Sequence, residues 1–144
     1  MADSPIDETT PFGRRAGERL RTEKLVWLTT VGGDGTPQPN PVWFLWDGAS
    51  GVTVYNAVGA RRMEHVRKRP EVSLNFQADA GGSDVVVIRG RAALAPDLPS
   101  SDRSPAYQEK YGQMIADGAW GTPEAFDREY PHKLRITLLG VRGF

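Results

Sequence analysis

Prolines at 37, 39 and 41 alternate through a segment, Thr36 to Trp46, that otherwise reads as a β-strand. No other feature restricts the fold as much. Proline has no N–H to give to a ladder. Strand positions repeat every second residue, so the three missing donors all face one way. That side of the strand is either a sheet edge or is faced by something other than a strand. A plain edge strand meets this condition, and so does a ligand lying along the segment.

The flanks support a β-rich reading. Leu25 to Val31 is a compact β-prone run, and Gly32-Gly33-Asp34-Gly35 supplies a turn. A second turn at Asp47-Gly48 leads to Gly51–Ala57 as a third strand, which predicts an antiparallel meander. Gly59 to Arg69 predicts a short helix stopped by Pro70. Strands follow over 71–77 and 84–94, and a last one over 133–141. Tyr107, Tyr111, Met114 and Ile115 have helical spacing and read as packing. Thr122-Pro123 is an N-cap followed by proline at the first helical position. The expected architecture is mainly β, six strands with a few short helices. Residues 1–15 are polar, with Pro5, Pro11 and Gly13, and predict a flexible N-terminal arm before a single domain over 16–144. Only a turn or two of helix is expected over 17–24.

Composition excludes several functions. With no cysteine and only His65 and His132, there is no disulfide, no thiolate and little for a metal centre. Eighteen basic residues balance eighteen acidic ones, which removes the global electrostatic case for nucleic acid. The first residues contain no apolar signal region, and no run approaches a membrane span. The chain reads as soluble and cytoplasmic.

The segment richest in chemistry is the strand 51–57 running into the helix that opens at Gly59. A helix start presents free N–H groups and partial positive charge. Arg61 and Arg62 stand in that first turn, where two cations are unfavourable. A bound anion would relieve this, and arginine grips phosphate well. Met63 and Val66 form the buried seam of the helix. Arg61 shares a stripe with His65 and Lys68, so the two arginines are expected to diverge. The alternative is a basic solvated face, since 61–69 carries six basic residues counting His65.

The ordered blocks D-G-T-P-Q, P-V-W-F, G-x-R-R and R-P-E-V-S-L span about residues 25–95. This order resembles the pyridoxamine 5'-phosphate oxidase-like family, closest to its actinobacterial coenzyme F420-dependent branch. The resemblance implies a six-stranded split β-barrel of the FMN-binding type, dimeric, with two cofactor sites at the dimer interface. It implies that Arg62 holds the cofactor phosphate, supported by Arg61, Met63 and the backbone at Gly59. Tyr55 and Asn56 would line the ribityl chain. Asn40, Pro41, Val42 and Trp43 would back the ring, and Gly82, Ser83 and Asp84 would meet the polar tail. His65 stands where relatives commonly have asparagine and reads as a helix-surface or packing substitution rather than a ligand. The basic C-terminal signature of the true oxidase is not evident in KLRITLLGVRGF.

The implied activity is an oxidoreductase passing hydride between reduced coenzyme F420 and a conjugated small molecule. The alternatives are an FMN oxidase or flavin reductase, and a non-catalytic carrier of flavin or haem. No catalytic residue is singled out, because the cofactor carries the chemistry.

Overall fold

The computed structural model describes residues 4–144. One antiparallel sheet contains β1 (Val26–Val31), β2 (Pro37–Val42), β3 (Leu45–Trp46), β4 (Gly51–Asn56), β5 (Glu71–Asn75), β6 (Val86–Leu94) and β7 (His132–Gly143). The helices are α1 (Pro11–Thr22), α2 (Arg61–Lys68), α3 (Pro105–Asp117) and α4 (Pro123–Glu129).

The strand order is β2-β1-β5-β6-β7-β4-β3. The edge strands β2 and β3 are thus neighbours in sequence, with only Trp43 and Phe44 between them. Three Cα steps reach at most about 11 Å. The sheet therefore curls until its two edges nearly meet, which makes a half-barrel. This corrects the expected meander: the predicted strand over 36–46 breaks in two, and its halves belong to opposite edges. Seven strands replace the expected six. The break is clamped by Tyr111, whose hydroxyl accepts from the Phe44 N–H at 2.8 Å and lies 2.9 Å from the Lys24 carbonyl oxygen.

The prolines obey the edge rule. Pro37, Pro39 and Pro41 pair in register with Val31, Thr29 and Trp27 of β1, and β2 has no strand on its other side. Strand alternation then sends Gln38, Asn40 and Val42 to the opposite face from the prolines.

The predicted N-terminal arm is corrected in part. Residues 1–3 lie outside the described residues, but Ile6 is buried and α1 begins at Pro11. Thr10 caps α1 by accepting from the Gly13 N–H, with Pro11 at the first helical turn. Gly13 and Gly17 do not break this helix. A Cβ at either would strike Asp7 or Glu8, so glycine lets the preceding segment lie against the helix. Ala16 and Leu20 then reach the barrel core with Leu28, Leu74, Ile88, Leu134 and Ile136.

Ser104 and Thr122 cap α3 and α4 in the same way, as expected for Thr122. These two helices build a second, aromatic cluster from Tyr55, Tyr107, Tyr111, Ile115 and Phe126. Met114, read as packing, is instead exposed.

Candidate functional site

The chain turns from β4 into α2 through Val58 and Gly59, whose φ of 82° is left-handed and suits glycine. The helix that follows has no side-chain cap at Ala60. Its one acid, Glu64, faces Arg67 and Lys68 at 3.6 and 3.5 Å rather than the first turn. Neither Arg61 nor Arg62 has a carboxylate partner among the described residues.

Arg62 is the centre of the site. Its Nε donates to Oδ1 of Asn56. Asn56 is fully buried, and its Nδ2 donates to the carbonyls of Val54 (2.9 Å) and His132 (3.2 Å). All of the Asn56 amide is therefore spent on holding Arg62 from β4. Asn56 is thus committed to Arg62 and to two backbone carbonyls, where the expectation placed it along a ligand chain. Burial lowers the Arg62 pKa, with Tyr130 opposing. Arginine nonetheless remains charged. A half-buried cation without a counter-charge carries a desolvation penalty that an incoming anion would offset.

Two lobes meet at Arg62. The polar lobe, about 270 Å³, is lined by Thr30, Gln38, Asn40, Ala60, Arg61, Arg62 and His65. The aromatic lobe, about 240 Å³, is lined by Leu25, Pro41, Val42, Trp43, Tyr55, Arg62, Tyr107, Trp120, Phe126 and Tyr130. Taken together, they fall within the volume of ordinary ligand clefts, roughly 300–1,000 Å³. A larger hollow of about 420 Å³ lies elsewhere, on the sheet face around Arg89 and Arg142. It does not include the α2 start, so the two lobes are the stronger candidate.

Several expected residues converge here: Asn40, Pro41, Val42, Trp43, Tyr55, Arg61 and Arg62. The two arginines diverge as expected, Arg62 inward to Asn56 and the aromatic lobe and Arg61 exposed, while both still border the polar lobe. Trp43 is not free to stack on a ring. Its indole lies on Tyr111 at 4.5 Å and 3°, and on Phe126 at 5.4 Å and 12°. The Tyr55 hydroxyl is also committed, donating to the Pro99 carbonyl at 2.8 Å, and burial raises its pKa. It lines the lobe as a wall rather than as a proton source.

The remaining expected residues lie apart. Gly59 and Met63 border a neighbouring hollow with Glu64, Leu94 and His132, which shares Ala60 and Arg61 with the polar lobe. Asp84 pairs with Arg15 (2.8 Å) and Arg19 (3.2 Å) of α1, and the Ser83 N–H donates to Asp79. Neither Ser83 nor Asp84 lines a lobe at Arg62. Sequence reasoning missed Thr30, Gln38, Trp120, Phe126 and Tyr130. Gln38 was accessible through the period-2 alternation with the prolines. The aromatic trio had no such signal, because α4 reaches the site only through tertiary packing.

A curled antiparallel half-barrel with a basic mouth beside its proline-bearing edge places the chain in the split-barrel class. The sequence matches the family model for pyridoxamine 5'-phosphate oxidase over residues 13–139, and the chain belongs to that family. No curated protein matches it. Among solved structures it is similar to an F420 reductase, with 22% identity, a TM-score of 0.66, and 87% of this chain and 94% of that one covered. A FAD-binding protein from Mesorhizobium loti has 19% identity and a TM-score of 0.61, covering 89% and 88%. The haem storage protein HutZ from Vibrio cholerae has 16% identity and a TM-score of 0.59, covering 93% and 95%. These likenesses establish the fold of the family.

The residues present fit a phosphate-bearing flavin at its anion end. Arg61 and Arg62 lack carboxylates, and the uncapped start of α2 lies beside them. The aromatic lobe offers the apolar wall that a ring system needs.

Proposed function

We propose that this chain is an oxidoreductase that carries coenzyme F420, with the anion at Arg61 and Arg62 and the ring toward Pro41 and Val42. The observation that carries the reading is the Arg62 guanidinium, half-buried, aimed by Asn56 and unpaired. When bound, the cofactor supplies hydride to a conjugated small molecule, with a proton from solvent completing the reduction. The protein's part is orientation and exclusion of water. Arg62 fixes the anion, the β2 edge backs the ring, and the aromatic lobe excludes water around the reacting edge.

The reading includes a homodimer that completes the cofactor groove. Trp27 on β1 and Leu139 on β7 are 37% and 43% exposed, and such a second copy is expected to cover them.

Titration of the purified protein with F420 and with FMN tests the cofactor. Tighter binding of F420 supports the reading, and equal or absent F420 binding overturns it. FMN is the second reading, because the polar lobe would recognise a phosphate and the aromatic lobe a tricyclic ring of either kind. A yellow protein as purified would favour it.

A further inference from the structure

His65 lies one turn beyond Arg61 on α2, and its ring lines the same polar lobe as both arginines. Its Nδ1 is 2.9 Å from the hydroxyl of Thr30, a residue only 2% exposed on β1. That bond fixes the ring. It also allows Nε2 to serve as a donor in either charge state. A neutral imidazole can accept from Thr30 through Nδ1 and keep its proton on Nε2, whereas an imidazolium donates through both nitrogens. In that tautomer the hydrogen bond offered to a ligand is the same in both charge states, and only the charge changes.

We propose that His65 is a third contact to the bound anion and makes the affinity for a phosphate-bearing ligand depend on pH. This rests on the reading of the polar lobe as the cofactor's anion site.

The surroundings of the ring set the sign. From its own helix come Arg61, Arg62, Glu64 and Lys68, with Arg69 at the C-cap. Glu64 is spent on Arg67 and Lys68. From β6, also packed on α2, Arg91 borders a hollow with Val66 and Arg67 and is paired with Glu71 at 2.7 Å, while Arg89 lies away from the ring on the sheet face with Arg142. The turn after β1 brings Asp34. The Asp34 Oδ1 and the His65 Nε2 each lie 3.6 Å from where a Cβ on Gly32 would sit, with the Gln38 amide nitrogen at 3.8 Å. Asp34 accepts from the Thr36 N–H, which holds its pKa down. It is thus a carboxylate on the His65 side of the turn and makes no ion pair with Arg62. Gln38 and Asn40 from β2 are neutral. An anion entering this lobe would meet three basic groups, and protonation of one of them would strengthen its binding.

The experiment measures ligand binding by calorimetry at pH 6 and pH 8, in wild type, His65→Asn and His65→Gln. Asparagine can keep the bond to Thr30, and glutamine can keep a donor near Nε2, both without charge. The phosphodiester of F420 does not titrate in this range, and the pH effect is read as the difference between wild type and the variants, which cancels any titration elsewhere in the ligand. The phosphomonoester of FMN gains charge as pH rises, near ~6, so its own titration opposes the effect. Wild type is expected to bind F420 roughly two- to fivefold tighter at pH 6, the size of a partly exposed charge contact. Both variants should lose that ratio. If F420 does not bind and FMN does, the same comparison is made as the difference between wild type and variants on FMN. A pH ratio unchanged by either substitution overturns the role of His65 and leaves the anion site standing. No binding of either cofactor, or riboflavin binding as tightly as FMN, overturns the anion site and this inference with it.

Discussion

The Arg62–Asn56 pair can be tested as a unit. Arg62→Ala removes a charge-assisted contact to the anion, worth about 1.5–3 kcal/mol. At ~1.4 kcal/mol per decade this is roughly a ten- to hundredfold rise in the dissociation constant for F420 or FMN. Asn56→Ala leaves the guanidinium present but unaimed. The cost is then the freedom the side chain must lose on binding, up to about 1.5–2 kcal/mol for arginine, so a loss of at most ~30-fold is expected. Once Arg62 is gone, Asn56 has nothing to aim, and its substitution should cost affinity little further. A double-mutant cycle therefore predicts strong coupling. Arg62→Ala is not expected to unfold the protein. It removes an unpaired, half-buried cation but strands the Asn56 carbonyl, and these effects, each about 1 kcal/mol, oppose one another. Melting temperatures of the free proteins provide that control, and calorimetric titration provides the affinities. Additive losses across the cycle, or an Arg62→Ala protein that binds as wild type does, would refute the reasoning.

Burial pulls the Lys110 ammonium down to about 8, with Lys24 adding to the shift and Glu23 opposing it. Below about 8 the lysine is protonated in both states and its desolvation cost is present in full; between 8 and its ordinary value of 10.5 only the unfolded chain binds the proton, so stability should climb with pH. Lys110→Met should therefore raise the melting temperature at pH 7 and gain less at pH 10, and the Phe44 carbonyl it leaves keeps the Tyr111 hydroxyl close at 2.9 Å. Gly13→Ala drives a Cβ into the Asp7 carbonyl and should cost about 1–3 kcal/mol, read by urea denaturation; unchanged stability would mean the 5–10 segment is not seated on α1. Leu139→Glu should convert a dimer to a monomer in light scattering and weaken cofactor binding together with it; a wild-type protein that is already monomeric rules out the shared groove.

The sheet was largely legible because its signals are local. Period-2 alternation marks Glu71–Asn75, and glycine turns mark Gly32–Gly35 and Gly48. The closure of the sheet was not. It depends on a two-residue break at Trp43-Phe44 that is held by Tyr111, which lies 67 residues away along the chain. Helix α1 was also misread, because Pro11, Gly13 and Gly17 count against a helix by propensity. Proline at the first turn loses no bond, and both glycines are required by what lies against them.

The candidate site shows the same division between local and tertiary information. Two adjacent arginines at a helix start are equally compatible with a solvated basic face and with an anion site. What separates these readings is the placement of every carboxylate in the neighbourhood, which no local pattern encodes. Glu64 could have folded back on Arg61 or Arg62 but faces Arg67 and Lys68. Asp84 could have met a ligand but pairs with Arg15 and Arg19. Asp34 is held by Thr36. With these acids engaged elsewhere, Arg62 is paired only with a neutral amide, and the fold bears the desolvation cost of that cation. A purely structural helix gains nothing from that arrangement, since a leucine at this position would pack against the aromatic lobe without it. The penalty is accounted for when an anion enters, and this favours a binding site over a solvated face.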